Sequence, residues 1–289
     1  MKQYDIALTG KDLRVAYMAS YLQKKGYRII CYDVQYIIDK PEYTASDFSN
    51  SLSEQQEKIV YAGSVKEAVE KARVVIGGIP FTESDKIAPL LSKGQSLFGG
   101  VLSGDFVADC SERGISCYDF MKDETITVFN AIATAEGSIL EALSHQPTNI
   151  HGSNSLVLGY GRCGSVLAEK LKGLSAHVTV CARSKVQLAQ AQAYGTDTLL
   201  LDDLEKNISE YEYIYNTIPA CILSESLLKK LHPDALVIDI ASKPGGVDYA
   251  AAKELGIAAY LCPGLPGKYA PKISASKLTE YVIQHITDR

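Results

Sequence analysis

The segment Ser155–Leu158 followed by Gly159-Tyr160-Gly161-Arg162-Cys163-Gly164 constrains this chain more than any other feature. A short apolar run, a G-x-G-x-x-G turn and an amphipathic stretch from about Arg162 to Gly173 read as strand, tight turn and helix. His177–Cys181 then reads as a second strand, closing a βαβ unit of about thirty residues. Each glycine has its own reason to be there. Gly159 makes the turn, Gly161 lets a pyrophosphate approach the backbone, and Gly164 lets the helix pack closely on the strand. Free amides at the helix start, at Arg162 and Cys163, would bind the phosphates. The unit predicts a dinucleotide-binding domain.

The end of the second strand bears on which dinucleotide. A carboxylate there would hold the ribose 2′-hydroxyl of NAD. This chain has Cys181-Ala182-Arg183-Ser184-Lys185, with no acid. Arg183 offers a planar fork to a 2′-phosphate, and Ser184 and Lys185 add donors. NADP is therefore expected, with NAD as the alternative; solvated residues at a helix start would give the same composition. Three later strands end in small and Gly/Pro-rich loops. Tyr213–Thr217 runs into Ile218-Pro219, Ala235–Ile240 into Ala241-Ser242-Lys243-Pro244-Gly245-Gly246, and Ala258–Leu261 into Cys262-Pro263-Gly264-Leu265-Pro266. Ligands of open α/β sheets bind beyond the carboxyl ends of the strands. Thr217, Ile218, Pro219, Ala241, Ser242, Gly264, Leu265 and Pro266 are thus expected around the cofactor, although structural turns share this chemistry.

A length of 289 residues allows two domains. The first block reads as strand Asp5–Leu8, turn Thr9-Gly10-Lys11-Asp12, and a helix with apolar Val15, Met18, Ala19 and Leu22. Gly26 stops that helix and Tyr27–Tyr32 forms the next strand. Further strands are predicted at Val74–Gly77, Ser96–Gly99 and Ile115–Asp119, with the polar stretch Asp39–Lys58 read as loop and surface helix. Thr134–Ser144 reads as a connecting helix ending before Pro147. Ser274–Thr287 carries an apolar stripe at Leu278, Tyr281, Val282 and Ile286, and is expected to return to the first domain. The predicted fold class is α/β, with two doubly wound domains and a cleft between them. A flavodoxin/Rossmann-like domain spans 1–130, the connection 131–150, and an NAD(P)-binding Rossmann domain 151–273.

Composition excludes several other classes. With 29 basic and 34 acidic side chains the formal charge is −5, which argues against nucleic-acid binding by bulk electrostatics. No run of about 18 apolar residues occurs, so no membrane helix is expected. The opening MKQYDIALTGKDLR lacks a signal-peptide core, and a cytoplasmic location is expected. Seven cysteines form no ligand-spaced cluster and five histidines no HExxH, so no metal site is expected. The odd cysteine count fits reduced, buried thiols.

The segments FNAIATAEGSILEALS, IHGSNSLVLGYGRCG, VCARS, YNTIP, IDIASKPGGVD and CPGLPGKYAPK, in this order, resemble the A subunit of dipicolinate synthase. IALTGKDLRVAYMASYLQKKGY is similar to the start of that family. Gly10-Lys11-Asp12 stands where the family has a GGD-type turn before an arginine, and Ala133 where a proline is expected before TAEG. The resemblance implies NAD(P)-dependent formation of dipicolinate from a dihydrodipicolinate or hydroxy-tetrahydrodipicolinate intermediate of the lysine pathway. It also implies spore-forming bacteria and a flavoprotein-type partner, the B subunit of dipicolinate synthase.

Oxidising a dihydropyridine dicarboxylate needs a hydride acceptor, an exit for one proton, and cations for two carboxylates. Arg14, Lys243, Lys268 and Lys272 are the candidate anchors; Asp12, Glu136 and Tyr269 are the candidate proton acceptors. Each could instead be an ordinary surface charge. Two rivals stay open. A 2-hydroxyacid dehydrogenase would want an arginine where Lys243 stands and a catalytic histidine after the last strand, where the chain offers only His285. A non-catalytic NADP(H)-binding regulatory protein would need neither. The oligomeric state also stays open, a homo-oligomer included.

Overall fold

A computed structural model describes residues 2–34 and 59–287, so the expectation for Asp39–Lys58 lies outside the described residues. The chain divides into two compact units, Met1–Thr127 with Ala270–Arg289, and Val128–Tyr269.

The first unit contains β1 (Tyr4–Thr9), α1 (Leu13–Lys24), β2 (Ile29–Tyr32), β3 (Val60–Tyr61), α2 (Val65–Lys71), β4 (Ala72–Ile76), α3 (Ser84–Ile87), β5 (Ser96–Gly99), α4 (Gly104–Glu112) and β6 (Ser116–Asp119). α5 (Glu124–His145) begins in this unit and carries the chain into the second. The strands pair in parallel in the order β3-β2-β1-β4-β5-β6. Side chains alternate across a strand, and here both faces are buried, as a parallel sheet requires. Ile6 and Leu8 of β1 enter one core with Val15, Met18 and Leu22 of α1. Ala7 enters the other with Ile30, Val75 and Leu97. The final helix of the chain belongs to this unit and places Ala275, Leu278 and Val282 in the first of those cores.

The second unit repeats the pattern. It comprises β7 (Asn154–Leu158), α6 (Arg162–Gly173), β8 (His177–Ala182), α7 (Lys185–Ala193), β9 (Asp197–Leu200), α8 (Leu204–Asn207), β10 (Tyr213–Asn216), α9 (Glu225–Leu228), β11 (Leu236–Asp239), α10 (Tyr249–Glu254), β12 (Ala258–Leu261) and α11 (Leu265–Tyr269), and the chain closes with α12 (Pro271–Thr287) of the first unit. The order is β12-β11-β10-β7-β8-β9, again all parallel. Val157, Val180, Leu236 and Ile238 face one core with Leu167 and Leu171 of α6, while Leu156, Leu158, Ile214 and Val237 face the other. Both sheets have the doubly wound Rossmann order.

Among the elements that differ from the sequence reading, three lie in or lead into the second unit. The connecting helix starts at Glu124 rather than near Thr134, because the Asp123 carboxylate accepts the Ile126 N–H and caps the first turn. This 22-residue helix is long and apolar enough, by length and composition, to cross a membrane, which the lack of an uninterrupted apolar run conceals. Half of its most apolar window is buried in the protein. The edge strand β9 is a second difference, since its segment carries no expectation of a strand. The segment Leu265–Tyr269, which reads as loop, is the helix α11.

Candidate functional site

The carboxyl edge of the second sheet is organised around the turn from β7 to α6. Gly159 has φ +93° and donates its N–H to the Cys181 carbonyl at 2.8 Å. A Cβ there would stand 2.5 Å from Thr217 Oγ1, and a Cβ on Gly164 would collide with the Gly159 carbonyl oxygen. Both glycines are needed by the protein's own packing. Gly161 is different: its φ of −84° suits any residue, and no protein atom lies within 4 Å of where its Cβ would be. That space adjoins the start of α6, a 12-residue helix with no side-chain cap and no acid in its first turn. Its first amide groups have no helical partner and lie at the positive end of the helix dipole. A pyrophosphate fits this cradle.

At the end of β8, Arg183 and Lys185 are exposed, and neither engages an ion pair among the described residues. Ser184 caps α7 by accepting the Gln187 N–H at 3.3 Å, which leaves its own O–H free to donate. Two uncommitted cations and a hydroxyl therefore stand where a 2′-substituent of an adenosine ribose would lie.

The loops after β10 and β11 are locked to one another. Thr217 donates its hydroxyl to the Leu158 carbonyl at 2.8 Å, tying its loop to the glycine turn. Asn216 donates to Ile218 O and accepts from Ile218 N, which fixes its amide orientation. Its Nδ2 also donates to Asp239 Oδ1 at 2.9 Å. Asp239, fully buried, accepts further from Ala241 N at 3.0 Å, Gly246 N at 2.6 Å and the Tyr249 hydroxyl at 2.8 Å. The sequence reading does not single out Asn216 or Asp239. The available signal is a polar residue ending each of two apolar strands, YIYN and LVID. Ser242 and Lys243 are exposed on the loop so held, and Lys243 has no partner among the described residues.

Several predicted residues have other work. Arg14 is no free anchor: Nε and Nη2 grip both oxygens of Asp12, at 2.7 to 3.1 Å, and Nη2 also donates to Ile79 O at 2.8 Å. Asp12 is likewise committed, because it also accepts the Arg14 and Ile79 N–H groups. Its carboxylate is the N-cap of α1. Glu136 pairs with Lys170 of α6 at 2.7 Å. Lys268 and the Tyr269 hydroxyl both donate to Glu141, at 2.7 and 2.8 Å. Burial alone would raise the Glu141 carboxyl, but these bonds and the Lys268 charge outweigh it and hold the group below its ordinary value. Leu265 and Pro266 are buried, with Leu265 packed against Gly137 of α5, so they are interior residues rather than a loop lining. Gly264 takes φ +69° at the start of α11, and Lys272 is exposed on the first turn of α12.

Cysteine placement fits the reduced, mostly buried thiols expected. All seven are free; Cys221 is exposed, and burial pushes Cys31 and Cys181 up to about 12. Among the described residues, no group of three or more His, Cys, Asp or Glu could hold a metal.

A glycine turn opening on a helix with no side-chain cap, at the carboxyl edge of a doubly wound parallel sheet, defines a dinucleotide-binding domain of the Rossmann type. Residues 130–248 match the family described as D-isomer specific 2-hydroxyacid dehydrogenase, NAD binding domain. More particularly, the chain is 40% identical over 159 residues to the A subunit of dipicolinate synthase from Bacillus subtilis (strain 168). That match covers 55% of this chain and 53% of the relative, so it spans about half the relative's length. The crystal structure of the A subunit of dipicolinate synthase from Bacillus halodurans is similar with a TM-score of 0.80 at 25% identity, covering 97% of each chain. That of the Bacillus subtilis protein gives 0.78 at 25% identity, covering 100% of this chain and 97% of the other. The resemblance to this dipicolinate synthase family holds in sequence and in fold.

Proposed function

We propose that this chain is a dehydrogenase of the dipicolinate synthase type, equivalent to the A subunit of that enzyme, and that it uses NADP. On this reading it oxidises a dihydrodipicolinate, or its hydrated tetrahydro form after loss of water, to dipicolinate in the cytoplasm of a spore-forming cell, with the B subunit of the synthase for its partner. The supporting observation is the pairing of an open cradle at Gly161 with two unpaired cations, Arg183 and Lys185, at an acid-free strand end.

When bound, the nicotinamide supplies the hydride acceptor. The amides at the start of α6 hold the pyrophosphate, and Arg183 takes the 2′-phosphate through its fork while Lys185 adds charge. Lys243, exposed and unpaired on the loop after β11, is the anchor for a substrate carboxylate. On this reading Arg14 is set aside as an anchor, since its Nε and Nη2 are bonded to Asp12 and Ile79 and its side chain is only 6% exposed. Hydride and proton leave the dihydropyridine ring together with aromatisation, so a weak proton acceptor suffices. The 2-hydroxyacid dehydrogenase reading fits less well. His285, the one histidine after β12, lies in the first unit, bonded through Nδ1 to Tyr281 O and packed against Tyr118 and Phe98.

The test is oxidation of dihydrodipicolinate by the purified protein with NADP⁺ and NAD⁺, alone and with the B subunit. Formation of dipicolinate, faster with NADP⁺, supports the proposal. Dinucleotide binding without turnover in either setting makes a regulatory role the better account.

A further inference from the structure

Asp239, a wholly buried acid at the end of β11, has no part in the chemistry proposed for the site. Its surroundings suit a carboxylate. Asn216 Nδ2, Ala241 N and Gly246 N can only donate, and the Asn216 orientation is fixed by its two bonds to Ile218. The Tyr249 hydroxyl donates the fourth bond, and burial and the adjacent carboxylate push its phenol up. Three of the four partners of Asp239 can only donate and Tyr249 donates the fourth bond, so every contact is one that a carboxylate accepts.

Among the described residues, no cation pairs with it, and all its polar partners are neutral. Buried carboxylates are normally paired with a base. An uncompensated one is an arrangement with an electrostatic consequence for whatever binds beside it. Two of its partners are backbone amides of the loop Ala241–Gly246, and a third, Asn216, holds the loop after β10. The nicotinamide half of a dinucleotide lies beyond the carboxyl ends of these strands, across the crevice from the half held by the glycine turn.

We infer that Asp239 is an electrostatic positioning residue that biases the site toward the oxidised, cationic nicotinamide over the reduced, neutral one. This rests on the dinucleotide reading of the second unit. The four bonds hold the charge in place without neutralising it, so the oxidised ring gains an attraction that the reduced ring lacks. The direction suits an enzyme that must bind the oxidised cofactor to begin its reaction.

The test compares the dissociation constants of NADP⁺ and NADPH, by calorimetry and by nicotinamide fluorescence, with 2′-phospho-ADP-ribose as a probe lacking the ring. Asp239→Asn removes the charge. Tyr249→Lys keeps the carboxylate and gives it a cation, so it tests the same idea if the first variant folds poorly. Each variant should move the NADP⁺/NADPH affinity ratio at least tenfold toward NADPH, roughly the scale of one charge interaction inside a protein. Binding of 2′-phospho-ADP-ribose should change less than about threefold, since that probe carries no ring charge. A ratio unchanged within about twofold in both variants, or equal loss of all three ligands, would show that Asp239 only shapes the loops and would overturn the inference. A wild-type protein that binds none of the three removes the dinucleotide reading itself, a distinct result.

Discussion

Replacing Gly161 and Gly164 separately by alanine tests whether the β7–α6 turn holds a ligand, because the structure gives the two glycines opposite reasons to exist. At Gly161 an added methyl meets no protein atom within 4 Å and the backbone is in an ordinary region. The fold should tolerate it, at a cost of about 0.5 kcal/mol for the poorer N-cap. The methyl would occupy the approach path of a pyrophosphate, and losing one charge-assisted bond of about 1.5–3 kcal/mol weakens dinucleotide binding roughly tenfold to a hundredfold. At Gly164 the methyl would press into the Gly159 carbonyl, whose carbon is 3.0 Å from the Cβ position. Backbone cannot rotate aside as a side chain can, so α6 must shift, an overpacking cost of about 1–3 kcal/mol. Gly164→Ala should therefore lower the melting temperature by several degrees and weaken binding as well. Thermal melts and cofactor titrations of both variants separate the effects. If Gly161→Ala binds dinucleotide as tightly as wild type, the space beside it is not a phosphate cradle and the reasoning fails.

Arg183→Asp should weaken NADPH binding about tenfold to a hundredfold relative to NADH while leaving the melting curve in place, since the side chain is exposed; equal wild-type affinities for the two cofactors would refute the assignment. Arg14→Met should destabilise the protein by about 3 kcal/mol in urea, because it strands the Asp12 carboxylate, whose side chain is only 14% exposed; an unchanged midpoint would mean the pair is not structural. The Glu141 carboxyl is held below its ordinary value in the folded state, so its contribution is complete above the unfolded value of about 4.3 and is lost as pH falls through the folded one. Glu141→Gln should therefore flatten the acid limb of the stability curve and leave its slope between about pH 6 and 8 unaltered, as measured by melts across pH.

What can be read from the sequence is local. The glycine turn, its helix and the acid-free end of β8 all lie within Asn154–Lys185, so their place in the fold follows from spacing alone. Arg14 reads as an anchor because one of its partners, Ile79, is 65 residues away and enters only when β4 pairs with β1. Asn216 and Asp239 are 23 residues apart and meet because β10 and β11 are neighbours in register. Nothing in the spacing of YIYN and LVID announces that contact. Leu265-Pro266-Gly267 reads as a turn on composition, yet Leu265 has a buried place against Gly137 to fill, and packing overrides local preference. The connecting helix reads too short because its start depends on a single capping carboxylate, Asp123, rather than on periodicity.

The two sheets make a comparison that sharpens the functional reading. Counted from the first strand of each, both have the order 3-2-1-4-5-6, so each offers a crevice between its first and fourth strands. The chemistry of the first turn separates them. After β1 the carboxylate of Asp12 already accepts the Arg14 N–H at the start of α1 and binds the Arg14 guanidinium. A phosphate would meet a negative charge on amides that are taken. After β7 the corresponding helix is capped by Gly161, with no side-chain cap and no acid in its first turn. The ends of the second strands differ too, with Asp33 following β2 and Arg183 following β8. Asp33 occupies the position of a ribose-binding acid, but the turn that would bring a dinucleotide to it is sealed by Asp12. An acid at a strand end therefore means little without an open turn. The open turn and the basic end occur together only in the second sheet, which is why the cofactor assignment rests there.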